Sequence, residues 1–181
     1  MEAQFFNELR EELQQGAVTK GHPFRYGTLG TVGLDKLARL RMVVVRKLSE
    51  DLKVTIFTDA RSKKVSHIKE NNRVSLLFYH PAKLLQVRME GLATITDEQG
   101  TLERMWREVP KEAQTEYTAK AAPGSSIPQG ERTEYLTEGH HFCILEVHPF
   151  KIEYLKLQRP EHLRIRFSKK ENQWKGEFLV P

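Results

Sequence analysis

The strongest constraint on this chain is a succession of short β-branched runs between residues 37 and 95. Residues 37–48, 53–58, 74–79 and 84–95 are rich in Val, Ile, Leu, Thr and aromatic side chains, which suit a pleated, half-buried backbone. Between the second and third runs, residues 60–71 carry helical periodicity, with Val65, Ile68 and Ala60 expected inward and Lys63, Lys64 and Lys69 toward water. The order is therefore strand, strand, short helix, strand, strand. Met42 to Val45 is apolar without alternation, which predicts that both of its faces are covered, as in a closed barrel or a dimer interface.

The flanking segments extend this pattern. Phe5, Phe6, Leu9 and Leu13 make one apolar stripe, predicting a helix over residues 3–14 that stops at Gly16. Gly27, Gly30 and Gly33 recur in a Thr- and aromatic-rich stretch, but their spacing fits neither a dinucleotide fingerprint nor a phosphate loop. A twisted strand over residues 24–34 is the better reading, with Asp35-Lys36 as the turn into the next. Asp97 and Glu98 open a helical stretch holding Leu102, Met105 and Trp106, and another short helix is expected within 111–121. Residues 123–130 are the most loop-like in the chain and read as a mobile surface loop or lid. Residues 141–157 return to strand, with Phe142, Ile144, Glu146 and His148 on one face, followed by Ile152, Tyr154 and Leu157. Residues 161–168 and 173–180 would form a hairpin around the turn 169–172. At least seven strands with short helices between them predict an α+β, mainly β, protein built on a β-barrel. The 181 residues are expected to form one domain, with a barrel core at 24–97, a helical segment at 98–122 and C-terminal strands at 141–181.

Charge and composition narrow the function. The net charge of +5 suits an anionic partner without choosing one. A nucleic-acid role through Arg39, Arg41, Arg46, Lys63, Lys64 and Lys69 is disfavoured, because these residues alternate with core residues and no aromatic-basic RNA signature accompanies them. No apolar run approaches the roughly 20 residues that span a bilayer, so no membrane role is expected. The N-terminus lacks the basic and apolar regions of a signal peptide, and a cytoplasmic location is expected. The one cysteine, Cys143, excludes an intramolecular disulfide and, inside an apolar strand, reads as a buried inert thiol. His140, His141 and His148 lack acidic or cysteine partners at ligand spacing, so no metal is expected. Asp59 is a possible N-cap for the 60–71 helix, and Asn71-Asn72 would end it in left-handed conformation. Ser62, Lys63 and Lys64 in its first turn form either an anion site or a solvated basic face.

Several of these residues stand in a familiar order. Arg41-x-Val43-Val44-Val45-Arg46, Phe57-Thr58-Asp59-x-x-Ser62-Lys63-Lys64, Asn71-x-Arg73-Val74-x-Leu76-Leu77-Phe78-Tyr79 and Gln86-Val87-Arg88-x-Glu90-Gly91 follow one another. Ile152-Glu153-Tyr154, Arg166-Phe167 and the ending Trp174-Lys175 to Leu179-Val180-Pro181 complete the series. Together they resemble the pyridoxamine 5'-phosphate oxidase family. The resemblance implies an FMN-binding split β-barrel, assembled as a homodimer with FMN at the interface, acting on a small-molecule substrate or reductant. It implies that Arg41, Lys63 and Lys64 hold the FMN phosphate, with Ser62 in the same turn. Met42, Val43 and Val44 would line the flavin, with Arg46 near the ring and Phe57 and Thr58 on ring and ribityl. Gln86 and Arg166 would approach from the partner subunit. His162 and Arg164 would be substrate contacts by this resemblance, and a solvated strand end is the alternative. Met105, Val109 and Ala113 stand where the family's substrate-phosphate ligands fall, and Leu155 where it has a tryptophan over the flavin. The resemblance therefore implies an FMN-dependent oxidoreductase whose substrate is not pyridoxamine phosphate, or a non-catalytic flavin-holding or stress-related protein.

Overall fold

The computed structural model describes residues 2–96, 98–171 and 173–181. Asp97, expected to open a helix, and Asn172, expected in a turn, lie outside them. The chain begins with α1 (Glu2–Val18) and a 3-10 turn (Pro23–Arg25), then β1 (Tyr26–Val32), β2 (Ala38–Leu48) and β3 (Val54–Asp59). Next come α2 (Lys63–Glu70), β4 (Arg73–His80) and β5 (Leu85–Thr96). Two short helices, α3 (Gln99–Glu108) and α4 (Lys111–Gln114), and a 3-10 turn (Thr115–Tyr117) precede β6 (Phe142–Lys156), β7 (Leu163–Lys170) and β8 (Gln173–Leu179).

All eight strands belong to one antiparallel sheet, ordered β3-β2-β1-β4-β5-β6-β7-β8, and a further β3–β6 pairing closes the first six into a barrel. Closure removes the open edge that β3 would otherwise expose and leaves β8, paired with β7, at the sheet's other end. Strand β6 makes closure possible by serving two neighbours in turn. Its first half, Phe142 to Val147, pairs with β3, and its second half, Lys151 to Lys156, pairs with β7. The switch falls at a bulge where Glu90 faces Lys151 but Gly91 faces Pro149, leaving Phe150 as the extra residue. The bulge inverts the strand's alternation. Leu145 and Val147 face the core before it, and Ile152 and Tyr154 after it. Phe142, Ile144, Glu146 and His148 share one face, as the sequence pattern predicted, and it is the face opposite Leu145 and Val147. The extra residue is why the two halves differ.

The barrel is filled by Leu29, Val43, Val45, Ile56, Leu76, Phe78, Val87, Met89 and Tyr154, all buried. Helix α1 covers one opening with Leu9 and Leu13. The helix does not stop at Gly16. A Cβ there would lie 2.6 Å from the carbonyl oxygen of Phe24, so the glycine serves close approach of the 3-10 turn rather than termination. On the outer face of β3 and β6, Phe57, Phe142 and Ile144 meet Trp106, Val109 and Tyr117 in a second apolar cluster.

Helix α2 also differs from expectation. It starts at Lys63, with Ser62 at the N-cap position, and Ala60 is exposed. Asp59 does not cap it, because its carboxylate is taken up by the backbone N–H and guanidinium of Arg61. Asn71 is extended, with φ at −142°. Val65 and Ile68 point inward as the periodicity predicted, but Lys64 is half-buried rather than solvated. Within the single chain, Met42 to Val45 is covered on one face. Val43 and Val45 are in the core, whereas Leu40 and Met42 are 71% and 63% exposed.

Candidate functional site

The loop from β3 into α2 and the middle of β2 face each other across a groove of about 250 Å³. Met42, Val43, Val44 and Arg46 of β2 form one wall, and Phe57, Thr58, Asp59 and Lys64 form the floor. Glu116, Tyr117 and Pro123 form the opposite wall. Arg46 reaches the groove because β2 is bulged there. Val45 pairs with Ile56 and Lys47 with Thr55, so Arg46 is unpaired and its side chain is re-aimed. Its guanidinium carbon sits 5.6 Å from the Phe57 ring centroid, and its Nε is buried with no hydrogen-bond partner among the described residues.

At the groove's other end the Lys64 ammonium donates to Thr58 Oγ1 at 2.7 Å and Ser62 Oγ at 3.3 Å. Burial, and after it the charge of Arg41, hold the Lys64 pKa below its ordinary 10.5. Arg41 donates to the Leu29 carbonyl at 3.2 Å and to Thr31 Oγ1 at 2.7 Å. Thr31 in turn meets His67 Nδ1 at 3.0 Å. Two half-buried cations thus converge with two hydroxyls. The nearby carboxylate, Asp59, is engaged by Arg61 at 2.7 and 3.1 Å. Such a cluster favours an anion, which would relieve both the repulsion and the desolvation.

The structure groups Arg41, Thr58, Ser62 and Lys64 at one end of the groove and Met42, Val43, Val44, Arg46 and Phe57 along it. Lys63 is exposed at the start of α2 and forms no hydrogen bond or ion pair with a described residue. Gln86 on β5 and Arg166 on β7 do not line this groove. Arg166 binds Glu177 at 2.6 Å instead. His162 is exposed, and Arg164 binds Glu153 at 2.9 Å, with Arg88 on its other oxygen at 3.2 Å. Val109 is buried in the outer cluster, with Met105 and Ala113 packed on it, so these positions serve packing. Cys143 is buried, and burial pushes its thiol up to about 11, as suits an inert group. Sequence reasoning missed Thr31, His67 and Tyr117, which reach the site through strand register and a loop. It also missed Arg61, whose carbonyl partners, Ala119 and Lys120, lie about 60 residues away.

Among the described residues, the grouping that most resembles a metal site is Glu12, His22 and His80. Glu12 Oε2 lies 3.3 Å from His22 Nε2 and 3.9 Å from His80 Nε2, and Lys83 holds the other oxygen. Both rings accept backbone N–H groups at Nδ1, from Phe24 at 3.2 Å and Lys83 at 3.3 Å. A neutral imidazole accepting at Nδ1 carries its proton on Nε2, so N–H groups rather than lone pairs face Glu12. The hydrogen bond from Lys83 to Glu12 ties α1 to the β4–β5 turn, while Glu12 Oε2 is buried with no hydrogen-bond partner among the described residues. Burial, opposed by Glu12, holds the His22 pKa below its ordinary 6.5. The unfolded chain then binds more protons than the folded one as pH falls through 6.5, so this stability is present above that value and lost below it. Denaturant midpoints measured from pH 7.5 to 5 should fall for the wild type, and the fall should be shallower in His22→Gln.

Comparison with known proteins places this architecture. The family model described as pyridoxamine 5'-phosphate oxidase matches residues 13–155. A curated pyridoxine/pyridoxamine 5'-phosphate oxidase from Anaeromyxobacter dehalogenans (strain 2CP-C) is 29% identical over 125 residues, which are 69% of this chain. The match spans 61% of that relative's length. Among solved structures, a pyridoxamine 5'-phosphate oxidase-related, FMN binding protein from Nostoc punctiforme PCC 73102 superposes with a TM-score of 0.78 at 23% identity, covering 97% of this chain and 96% of that one. PhzG from Burkholderia lata 383, solved with tetrahydrophenazine-1-carboxylic acid, gives a TM-score of 0.78 at 17% identity, covering 97% and 92%. The six-stranded barrel is the split barrel expected from the sequence. The chain belongs to the pyridoxamine 5'-phosphate oxidase family.

Proposed function

We propose that this protein is an FMN-dependent oxidoreductase whose substrate carries no phosphate recognised by the α3–α4 segment. The observation that carries this reading is the pair of half-buried cations, Arg41 and Lys64, set beside Thr58 and Ser62, with the nearby Asp59 carboxylate engaged by Arg61. The unpartnered Nε of Arg46 at the groove's other end fits a second polar contact to the same ligand. Arg41, Lys64, Thr58 and Ser62 bind the phosphate, and Lys63 at the helix start adds charge. Met42, Val43 and Val44 supply backbone and apolar surface, and Phe57 packs below. When bound, FMN supplies a ring that takes up and passes on a hydride or electrons. Arg46 places a fixed positive charge beside that ring.

The uncovered outer face of the barrel supports a homodimer. Tyr26, Leu40, Met42, Leu77 and Tyr79 are all exposed there, and strand register makes them neighbours: Thr28 faces both Met42 and Leu77. A second copy would bury this apolar face and bring Gln86 and Arg166 toward the partner's groove, with His162 and Arg164 beside the substrate. The apolar packing at Met105, Val109 and Ala113 supports the alternative, a flavin-holding protein without turnover.

One experiment tests both readings. The purified protein is loaded with FMN, desalted, and examined by visible absorbance before and after NAD(P)H. Retained flavin that bleaches supports the oxidoreductase. Retained flavin that no donor bleaches favours the holder. Loss of all flavin on desalting sinks the cofactor reading.

A further inference from the structure

Arg61 makes more connections than any other side chain near the groove. Its backbone N–H and Nε donate to Asp59 Oδ1 at 2.8 and 3.1 Å, and Nη2 donates to Asp59 Oδ2 at 2.7 Å. The remaining N–H groups reach across to the carbonyls of Ala119 at 2.7 Å and Lys120 at 2.8 Å. Those carbonyls lie at the foot of the loop that contributes Tyr117 and Pro123 to the groove wall. The foot is also tied to its own return strand. Leu136 N donates to Thr118 O at 2.7 Å, Lys120 N to Glu134 O at 2.9 Å, and His141 N to Tyr117 O at 2.8 Å. Ala119 pairs with Tyr135 in an isolated bridge. Residues 121–133 are thus a strap hung from a short clasp, and one guanidinium fastens the clasp to the turn between β3 and α2.

We propose that Arg61 is a positioning residue that holds the 117–136 strap against the groove and couples its order to occupancy of the anion cradle. The coupling runs through Asp59. Its carboxylate forks onto Arg61 and lines the groove together with Lys64 and Thr58. An anion bound at Lys64, Thr58 and Ser62 satisfies Lys64 and leaves Asp59 wholly to Arg61, which tightens the clasp. By reciprocity, a loosened clasp weakens the anion. A lysine at position 61 keeps the charge but loses the planar fork that serves a carboxylate and two carbonyls at once.

The test is limited trypsin digestion of the full chain, scored for cleavage within 121–133, on wild type, Arg61→Ala and Arg61→Lys. Without FMN, both variants should be cut about tenfold faster than wild type. Saturating FMN should slow cleavage of the wild type about tenfold and that of Arg61→Lys by much less, and Arg61→Lys should bind FMN about tenfold more weakly. Wild-type cleavage rates in a folded Arg61→Lys overturn the proposal. Should both variants fail to fold, hydrogen exchange on the wild type decides. The amides of Lys120, Leu136 and His141 must be protected and gain protection with FMN; fast exchange at all three overturns it. The FMN half rests on the cofactor reading above. A wild type that takes up no FMN sinks that reading, and the cleavage comparison without FMN still decides the clasp.

Discussion

Arg41→Ala combined with Lys64→Ala should abolish flavin retention while leaving the flavin-free protein at least as stable as wild type. Each cation gives a charged phosphate hydrogen bond worth about 1.5–3 kcal/mol. Losing both raises the FMN dissociation constant by about 10²- to 10⁴-fold, since each 1.4 kcal/mol is tenfold. The stability effect has the opposite sign. Without the phosphate, two cations share a half-buried site, and burial followed by Arg41 already depresses the Lys64 pKa. Removing them relieves desolvation and repulsion, the usual exchange of stability for a functional site. Titration with FMN followed by fluorescence quenching, alongside thermal melting of the flavin-free proteins, reads both. An unchanged dissociation constant would sink the assignment of the cradle. Weaker binding together with a large drop in melting temperature would mean that the two residues are structural.

Gly91→Val should be among the most damaging single changes in the barrel. A Cβ at position 91 would lie 2.6 Å from the carbonyl oxygen of His148 and 3.1 Å from Pro149 Cα, both backbone atoms of the neighbouring strand. The obstruction falls at the bulge where β6 passes from β3 to β7. Relief requires β6 to move, which disturbs closure on one side and the hairpin on the other. A forced shift of this kind costs about 3 kcal/mol. For a chain of this size that lowers the melting temperature by roughly 6–12 °C. A variant melting within about 2 °C of wild type would show that the bulge tolerates a side chain. The equivalent change at Gly124, where the Cβ meets nothing within 4 Å, is the contrast: only its φ of +87° is strained.

The strands were legible because their composition and periodicity are local properties. Both barrel halves and the basic turn before α2 could be found in that way. The bulges were not legible. Arg46 and Phe150 are extra residues only relative to a partner strand, and no single strand records its partner's register. Hence the change of alternation between the two halves of β6 could not be read from that strand alone. Asp59 was misread for a related reason. As a candidate cap it has the right chemistry, but Arg61 two residues later competes for the same carboxylate and wins with three hydrogen bonds. Of the residues read as phosphate ligands, Arg41 and Lys64 converge, while Lys63 stays at the surface. Gln86 and Arg166 belong to another part of the sheet, where a single chain brings them to no groove shared with Arg46.

Closure by β6 also sets a schedule for synthesis. Strand β3 is among the first to leave the ribosome, yet the strand it closes against lies about 90 residues downstream, as in the pairing of Val54 with Val147. At 5–20 residues per second, the interval is roughly 5–18 seconds. During it β3, with Val54, Thr55 and Ile56 all destined for burial, presents an open apolar edge to every other nascent chain nearby. The helices α3 and α4 are translated inside that interval and pack on the same strand through Phe57. They can shield one face of it, but its hydrogen-bonding edge waits for β6. Yield of folded protein should therefore depend on translation speed across residues 97–141 more than on speed anywhere earlier in the chain.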